Sequence, residues 1–122
     1  MEENIRWRVT DPLGNEVILK ESTYQEHIKK DHIFSDAAYR QKAETLAREI
    51  IENPQLLILN KKKLNRYVYY KIVTVPCEND TESLKILKIV VDTDRVPNEI
   101  VTWMLQNKLK DIIKKEWIIY AS

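Results

Sequence analysis

Three consecutive runs, Tyr67–Val75, Leu84–Asp92 and Glu99–Met104, constrain this chain more than any other feature. They are rich in β-branched and aromatic residues and are separated by polar, proline-bearing connections, the signature of strands. Strands joined by short connections pair antiparallel by default. One face of such a sheet needs a cover, and the segments before Tyr67 read as helices that supply it. A chain of 122 residues with 43% hydrophobic content makes one domain's worth of core.

The remaining elements follow from periodicity and turn chemistry. Ile5, Trp7 and Val9 alternate with Arg6 and Arg8, a strand period. Asp11-Pro12-Leu13-Gly14-Asn15 is a turn, because proline presets φ and Gly or Asn tolerates positive φ. Glu16–Leu19 returns, so residues 5–19 read as a hairpin. Ser22 with Gln25 has the spacing of a capping box and opens a short helix over Thr23–Lys30. A second helix runs from about Asp36 to Glu52, with Tyr39, Ala43, Leu46, Ala47, Ile50 and Ile51 forming an apolar stripe. Asn53-Pro54 stops it. Leu56–Leu59 is the next strand, and the stripe Leu105, Leu109, Ile112, Ile113 predicts a helix over Gln106–Lys115. The expected fold is therefore one α+β domain over 1–122: an N-terminal hairpin and two helices packed on a roughly four-stranded antiparallel sheet, with a C-terminal helical tail.

Composition removes several function classes. A single glycine, Gly14, leaves no Walker loop or dinucleotide fingerprint. A single cysteine, Cys77, leaves no internal disulfide and no Cys-rich zinc site, and the two histidines match no zinc spacing, so neither metal nor cofactor is expected. No apolar run approaches the about 18 residues of a membrane span, and Met1-Glu2-Glu3-Asn4 is too acidic for a signal peptide. A cytoplasmic location without membrane partners is the expectation. The net charge of +1 gives no vote for nucleic acid overall, although Lys61, Lys62, Lys63 and Arg66 cluster, as do Lys108, Lys110, Lys114 and Lys115.

Few residues are suited to chemistry. His27 and His32 share one short segment, and Asp31 lies one helical turn from His27, where it orients the ring. The bland reading makes one histidine a capping residue and packs the other beside Tyr24. In Tyr67–Val75, alternation puts Tyr67, Tyr69, Lys71 and Val73 on one face and Val68, Tyr70, Ile72 and Thr74 on the other. Tyrosine with lysine suits stacking on a base and neutralising a phosphate; such tyrosines are also commonly half-buried with the hydroxyl at the rim. Thr102 alternates with Ile100 and Met104, which makes it either a satisfied core threonine or a polar group placed in a cleft.

The order of these signals resembles the phage-associated members of the barnase–EndoU–colicin E5/D–RelE-like nuclease group. The shared signals are the Gly14/Val17 hairpin, His27-Ile28 with His32 five residues on, Asn53-Pro54, Tyr69-Tyr70, Val90-Val91 and Val101-Thr102. They cover about residues 5–104; the tail 105–122 lies outside. The resemblance implies a helical part on a four-stranded antiparallel sheet and metal-independent endoribonuclease activity, toxin-like or phage-borne. The 2′-hydroxyl attacks the adjacent phosphate and leaves a 2′,3′-cyclic phosphate. It further implies His27, His32 and Thr102 as catalytic positions and Tyr69 or Tyr70 as the substrate-binding aromatic. RNA is the implied partner, with a protein inhibitor or antitoxin as a possible second. Lys71 is added from strand geometry as a phosphate contact. The family follows its threonine with Ala and an aromatic residue, where this chain has Trp103-Met104. The alternative is a non-catalytic binding module of the same fold that docks a protein or nucleic-acid partner, with Trp103, Trp117 or Ile113 in an exposed apolar patch.

Overall fold

The computed structural model describes residues 4–28, 37–60, 65–76, 82–107, 109 and 113–122; at 27, 37–39, 75, 76, 82 and 83 it describes the backbone alone. The hairpin forms as β1 (Ile5–Thr10) and β2 (Glu16–Lys20). Its turn closes through Asp11 and through Gly14, whose φ of 88° is the left-handed conformation that glycine adopts without strain. A single α-helical turn, α1 (Glu21–Thr23), runs into a π-helical turn, Tyr24–Ile28. The capping box does not form. The helix starts at Glu21, one residue earlier than Ser22, and Gln25 bonds the Glu21 carboxylate at 2.8 Å instead of turning back to the cap. Among the described residues the one long helix is α2 (Ala37–Glu52). Then come β3 (Leu56–Leu59), β4 (Arg66–Pro76), β5 (Glu82–Asp92), β6 (Asn98–Gln106), a 3₁₀ turn at Lys115–Trp117 and β7 (Ile118–Ala121).

These strands make one seven-stranded mixed sheet in the order β1-β2-β6-β5-β4-β3-β7. Every neighbouring pair is antiparallel except β2–β6, which is parallel through Val17↔Asn98 and Ile18↔Glu99. This overturns two helices packed on a four-stranded antiparallel sheet with a separate hairpin and a helical tail: the first expected helix is a single α-turn and a π-turn, and the sheet has seven strands. The meander β3-β4-β5-β6 leaves both its outer strands with open edges, and the chain's own ends fill them. The N-terminal hairpin joins β6 through β2, and Ile118–Ala121 joins β3 through Leu57↔Tyr120 and Ile58↔Ile118. The stripe read as a C-terminal helix is divided: Leu105 belongs to β6 and packs against the main core, while Ile113 packs on the other face of the sheet. Ile112 lies outside the described residues.

Among the described residues, α2 and the Tyr24–Ile28 turn cover one face. Ala43, Ala47, Ile50 and Ile51 of α2 pack with Tyr24 and Ile28 onto Tyr69, Leu87, Ile89 and Trp103. Trp103 sits at the middle, stacked on Trp7 at 6.4 Å between ring centres and tilted against Tyr24 at the same separation. It is 2% exposed, so it forms no part of any surface patch. The opposite face carries a smaller cluster, Ile58, Val68 and Tyr70, with Trp117 and Ile113 of the C-terminal segment laid on it. A bulge at Val90/Val91 leaves Val101 unpaired, so Ile100 pairs with Val91 and Thr102 with Val90. Simple alternation across Ile100, Thr102 and Met104 therefore fails: Ile100 and Trp103 both reach the helix-covered core, and Thr102 faces away from it.

Candidate functional site

The two adjacent tyrosines have different roles because adjacent strand residues point to opposite faces. Tyr69 is fully buried, and its hydroxyl donates to Asp11 Oδ2 at 2.7 Å. Asp11 is itself 4% exposed, and its other contacts are the Leu13 and Asn15 amides on Oδ1 at 2.9 and 2.8 Å and Asn15 Nδ2 on Oδ2 at 3.0 Å. Four donors thus surround one carboxylate, which is how a buried charge is tolerated. Burial first, and then the bond to Asp11, hold the Tyr69 hydroxyl far above its ordinary pKa. Tyr69 ties the β1–β2 turn to the centre of the sheet and is closed to a substrate.

Lys71 lies on the same helix-side face, where its Nζ meets the Asn53 carbonyl past the end of α2 at 3.3 Å. Tyr70 and Thr102 lie on the helix-free face. Tyr70 pairs directly with Lys88, and Lys88 pairs with Met104, which makes Thr102 its diagonal neighbour. Such pairs hold Cβ atoms about 5 Å apart when opposite and about 7–8 Å apart on the diagonal. The Lys88 ammonium stands over the Tyr70 ring, 6.0 Å from its centre. Tyr70 is 5% exposed, so it forms the floor of this row and not a free stacking platform. Thr102 is half-buried, and among the described residues its hydroxyl has only a long contact of 3.5 Å to the Trp103 carbonyl. Farther along the same face, Arg66 stands across from Asp92 in the β4–β5 register and buries an Nε that meets no acceptor among the described residues.

The histidines are not brought to this row by anything described. The backbone of His27 belongs to the π-helical turn on the helix-covered side, and its side chain lies outside the described residues, as does all of His32. Of the expected site residues, then, Tyr70 and Thr102 share a face, Tyr69 and Lys71 share the other, and the sheet separates the pairs. Lys88 was missed in the sequence. Its signal was there: it alternates with Leu87 and Ile89 in β5, and the hairpin register puts it opposite Tyr70.

Two polar clefts lie elsewhere. One of about 510 Å³ between β1 and α2 holds Arg6, which bonds Glu44 through Nε and Nη2 and Glu21 through Nη1, while Trp7 Nε1 donates to Glu44 at 2.8 Å. The other, of about 260 Å³, holds Glu99 between Lys20 at 2.6 Å and Arg95 at 3.3 Å. Both hold ion pairs, Arg6 with Glu44 and Glu21 in the first and Glu99 with Lys20 and Arg95 in the second. Among the described residues, no three His, Cys, Asp or Glu side chains converge as metal ligands, and no helix is long and apolar enough to cross a membrane. No protein-family model, no curated protein and no solved structure matches the chain.

Proposed function

We propose that this chain is an endoribonuclease-like domain of the kind its motif order resembles, and that RNA meets it on the helix-free face. One observation carries the reading: Tyr70 and Lys88 are partners across β4 and β5, with Thr102 diagonal to Lys88 on β6 and Arg66 on the same face. An ammonium and a hydroxyl on one face suit a phosphate's oxygens, the first neutralising charge and the second donating a hydrogen bond as charge builds in the transition state. The resemblance offers His27 and His32 for proton transfer. The His27 backbone lies across the sheet from this face, so the group proposed to serve attack by the 2′-hydroxyl and departure of the 5′-oxygen here is His32, which lies outside the described residues.

The test is cleavage of a mixed RNA pool in excess EDTA by the wild type and by Thr102→Val, Lys88→Ala, His27→Ala and His32→Ala. Cyclic-phosphate ends in EDTA, lost in a histidine variant and reduced in Thr102→Val at unchanged stability, support the reading. Absence of cleavage at high protein concentration refutes it. The non-catalytic alternative is favoured by a different observation: Ile72 and Leu84, 53% and 67% exposed, mark a part of the β4–β5 hairpin that suits docking better than chemistry.

A further inference from the structure

The β4–β5 hairpin outruns the sheet on both sides. β4 pairs with β3 only through Tyr67–Tyr70, and β5 pairs with β6 only from Ile86 onward. In β4 the even-numbered residues turn their backbone groups toward β3: the Arg66 carbonyl accepts from the Asn60 amide at 2.9 Å and the Tyr70 carbonyl from the Gln55 amide at 3.0 Å. The next bond in that series is made by a side chain, since the Ile72 amide donates to Gln55 Oε1 at 2.8 Å. Past it, the Ile72 carbonyl and the Thr74 amide and carbonyl face the same side with no partner among the described residues. Pro76, which has no N–H, ends the series.

A cleft of about 260 Å³ opens beside this margin, between α2 and the hairpin. Leu46, Ile50 and Val73 supply its apolar wall and Lys71 its cation, while Glu49 lines the α2 side. Among the described residues, Lys71 meets a carbonyl and no carboxylate.

We propose that the β4 margin at Ile72–Thr74 receives an extended segment of a partner protein as an added strand. Backbone pairing supplies the attachment and the cleft selects the side chains, as in other strand-addition sites. Residues two apart in the added strand share a face. An aliphatic side chain enters against Leu46, Ile50 and Val73, and an acidic one two positions away meets Lys71. The recognised chemistry is thus an extended segment pairing an aliphatic with an acidic residue on alternate positions. This site lies at a strand edge on the helix side and is independent of the RNA-facing row.

The probe is a displayed library of random decapeptides selected against the full chain, followed by amide exchange measurements with the selected peptides. The expected result is enrichment of the aliphatic-acidic alternation and slowed exchange of the Thr74 amide. Thr74→Pro is expected to weaken binding about tenfold or more, the worth of one or two backbone bonds. Because that amide lies outside the β4–β5 ladder, the fold keeps its own bonds in this variant. Lys71→Glu is expected to shift the selected residue from acidic to basic, a readout that needs no change in the backbone. Three results overturn the proposal: no enrichment, peptides that bind equally well to Thr74→Pro with Thr74 unprotected, or Thr74 protected without peptide in a concentration-dependent dimer, which would make a second copy the occupant.

Discussion

Replacing Tyr69 with Phe tests whether that residue belongs to the architecture or to a site. The substitution keeps the ring, and with it the apolar contacts of a fully buried side chain, and removes one hydroxyl that donates to Asp11 Oδ2 at 2.7 Å. A hydrogen bond to a charged acceptor is worth about 1.5–3 kcal/mol. Asp11 keeps its three other donors, so the loss stays below the about 3–5 kcal/mol of stripping a buried charge of its partner. The expected cost is about 2 kcal/mol, read as a lower denaturant midpoint at unchanged m. In thermal unfolding it is a fall of about 8 °C at about 4 °C per kcal/mol. Asp11→Ala is expected to cost more, about 3–4 kcal/mol, since it also strands the Leu13 and Asn15 amides of the turn. The double variant should show coupling of about 1.5–2 kcal/mol. The pH dependence has a definite sign. Burial and Asp11 hold the Tyr69 hydroxyl above its ordinary value of 10.0, so the folded state keeps a proton that the unfolded state releases. The contribution is complete below pH 10.0 and lost as pH rises beyond it, and the difference between wild type and Tyr69→Phe should shrink in that range. A Tyr69→Phe protein within about 0.5 kcal/mol of wild type that has lost RNA cleavage would refute this reasoning and return Tyr69 to the substrate.

Lys88→Ala and Lys71→Ala separate the two faces: the first should flatten the dependence of RNA binding on log salt by about 0.7–1, and the second should leave it unchanged. Filter binding across a salt series is the measurement. Glu44→Ala removes the acceptor of two Arg6 bonds and of Trp7 Nε1, and is expected to cost about 2–3 kcal/mol in chemical denaturation. Trp103 Nε1 is buried without an acceptor among the described residues, so Trp103→Phe should cost less than about 1.5 kcal/mol, whereas Trp103→Ala should cost about 3–5 by opening a cavity. Equal losses in the two Trp103 variants would show that the indole nitrogen is bonded in solution.

Local signals proved reliable where one segment contains all the information it needs. The stripe Ala43, Ala47, Ile50, Ile51 ends at Asn53-Pro54, and α2 ends at Glu52. Alternation around a turn that contains Pro12 and Gly14 yields the hairpin. Alternation also placed Tyr69 and Tyr70 on opposite faces, and so limited how many of the proposed contacts could meet. It could not say which face the helices cover, and that decided which tyrosine is a buried tie. Thr102 shows a finer limit, because a one-residue bulge at Val101 shifts the alternation and leaves no mark in composition.

By itself, then, the sequence determined the meander's strands, the long helix, the hairpin turn and the pairing of residues by face within β4, since each rests on periods of two or 3.6 residues and on turn chemistry. Only the tertiary structure decided that Ile118–Ala121 is a strand and that β2 lies parallel to β6. Both follow from the open edges of the meander, whose unpaired backbone groups are satisfied by segments far away in the chain. A short apolar run such as Trp117–Tyr120 can be helix or strand by its own propensity, and the partner it meets supplies the difference.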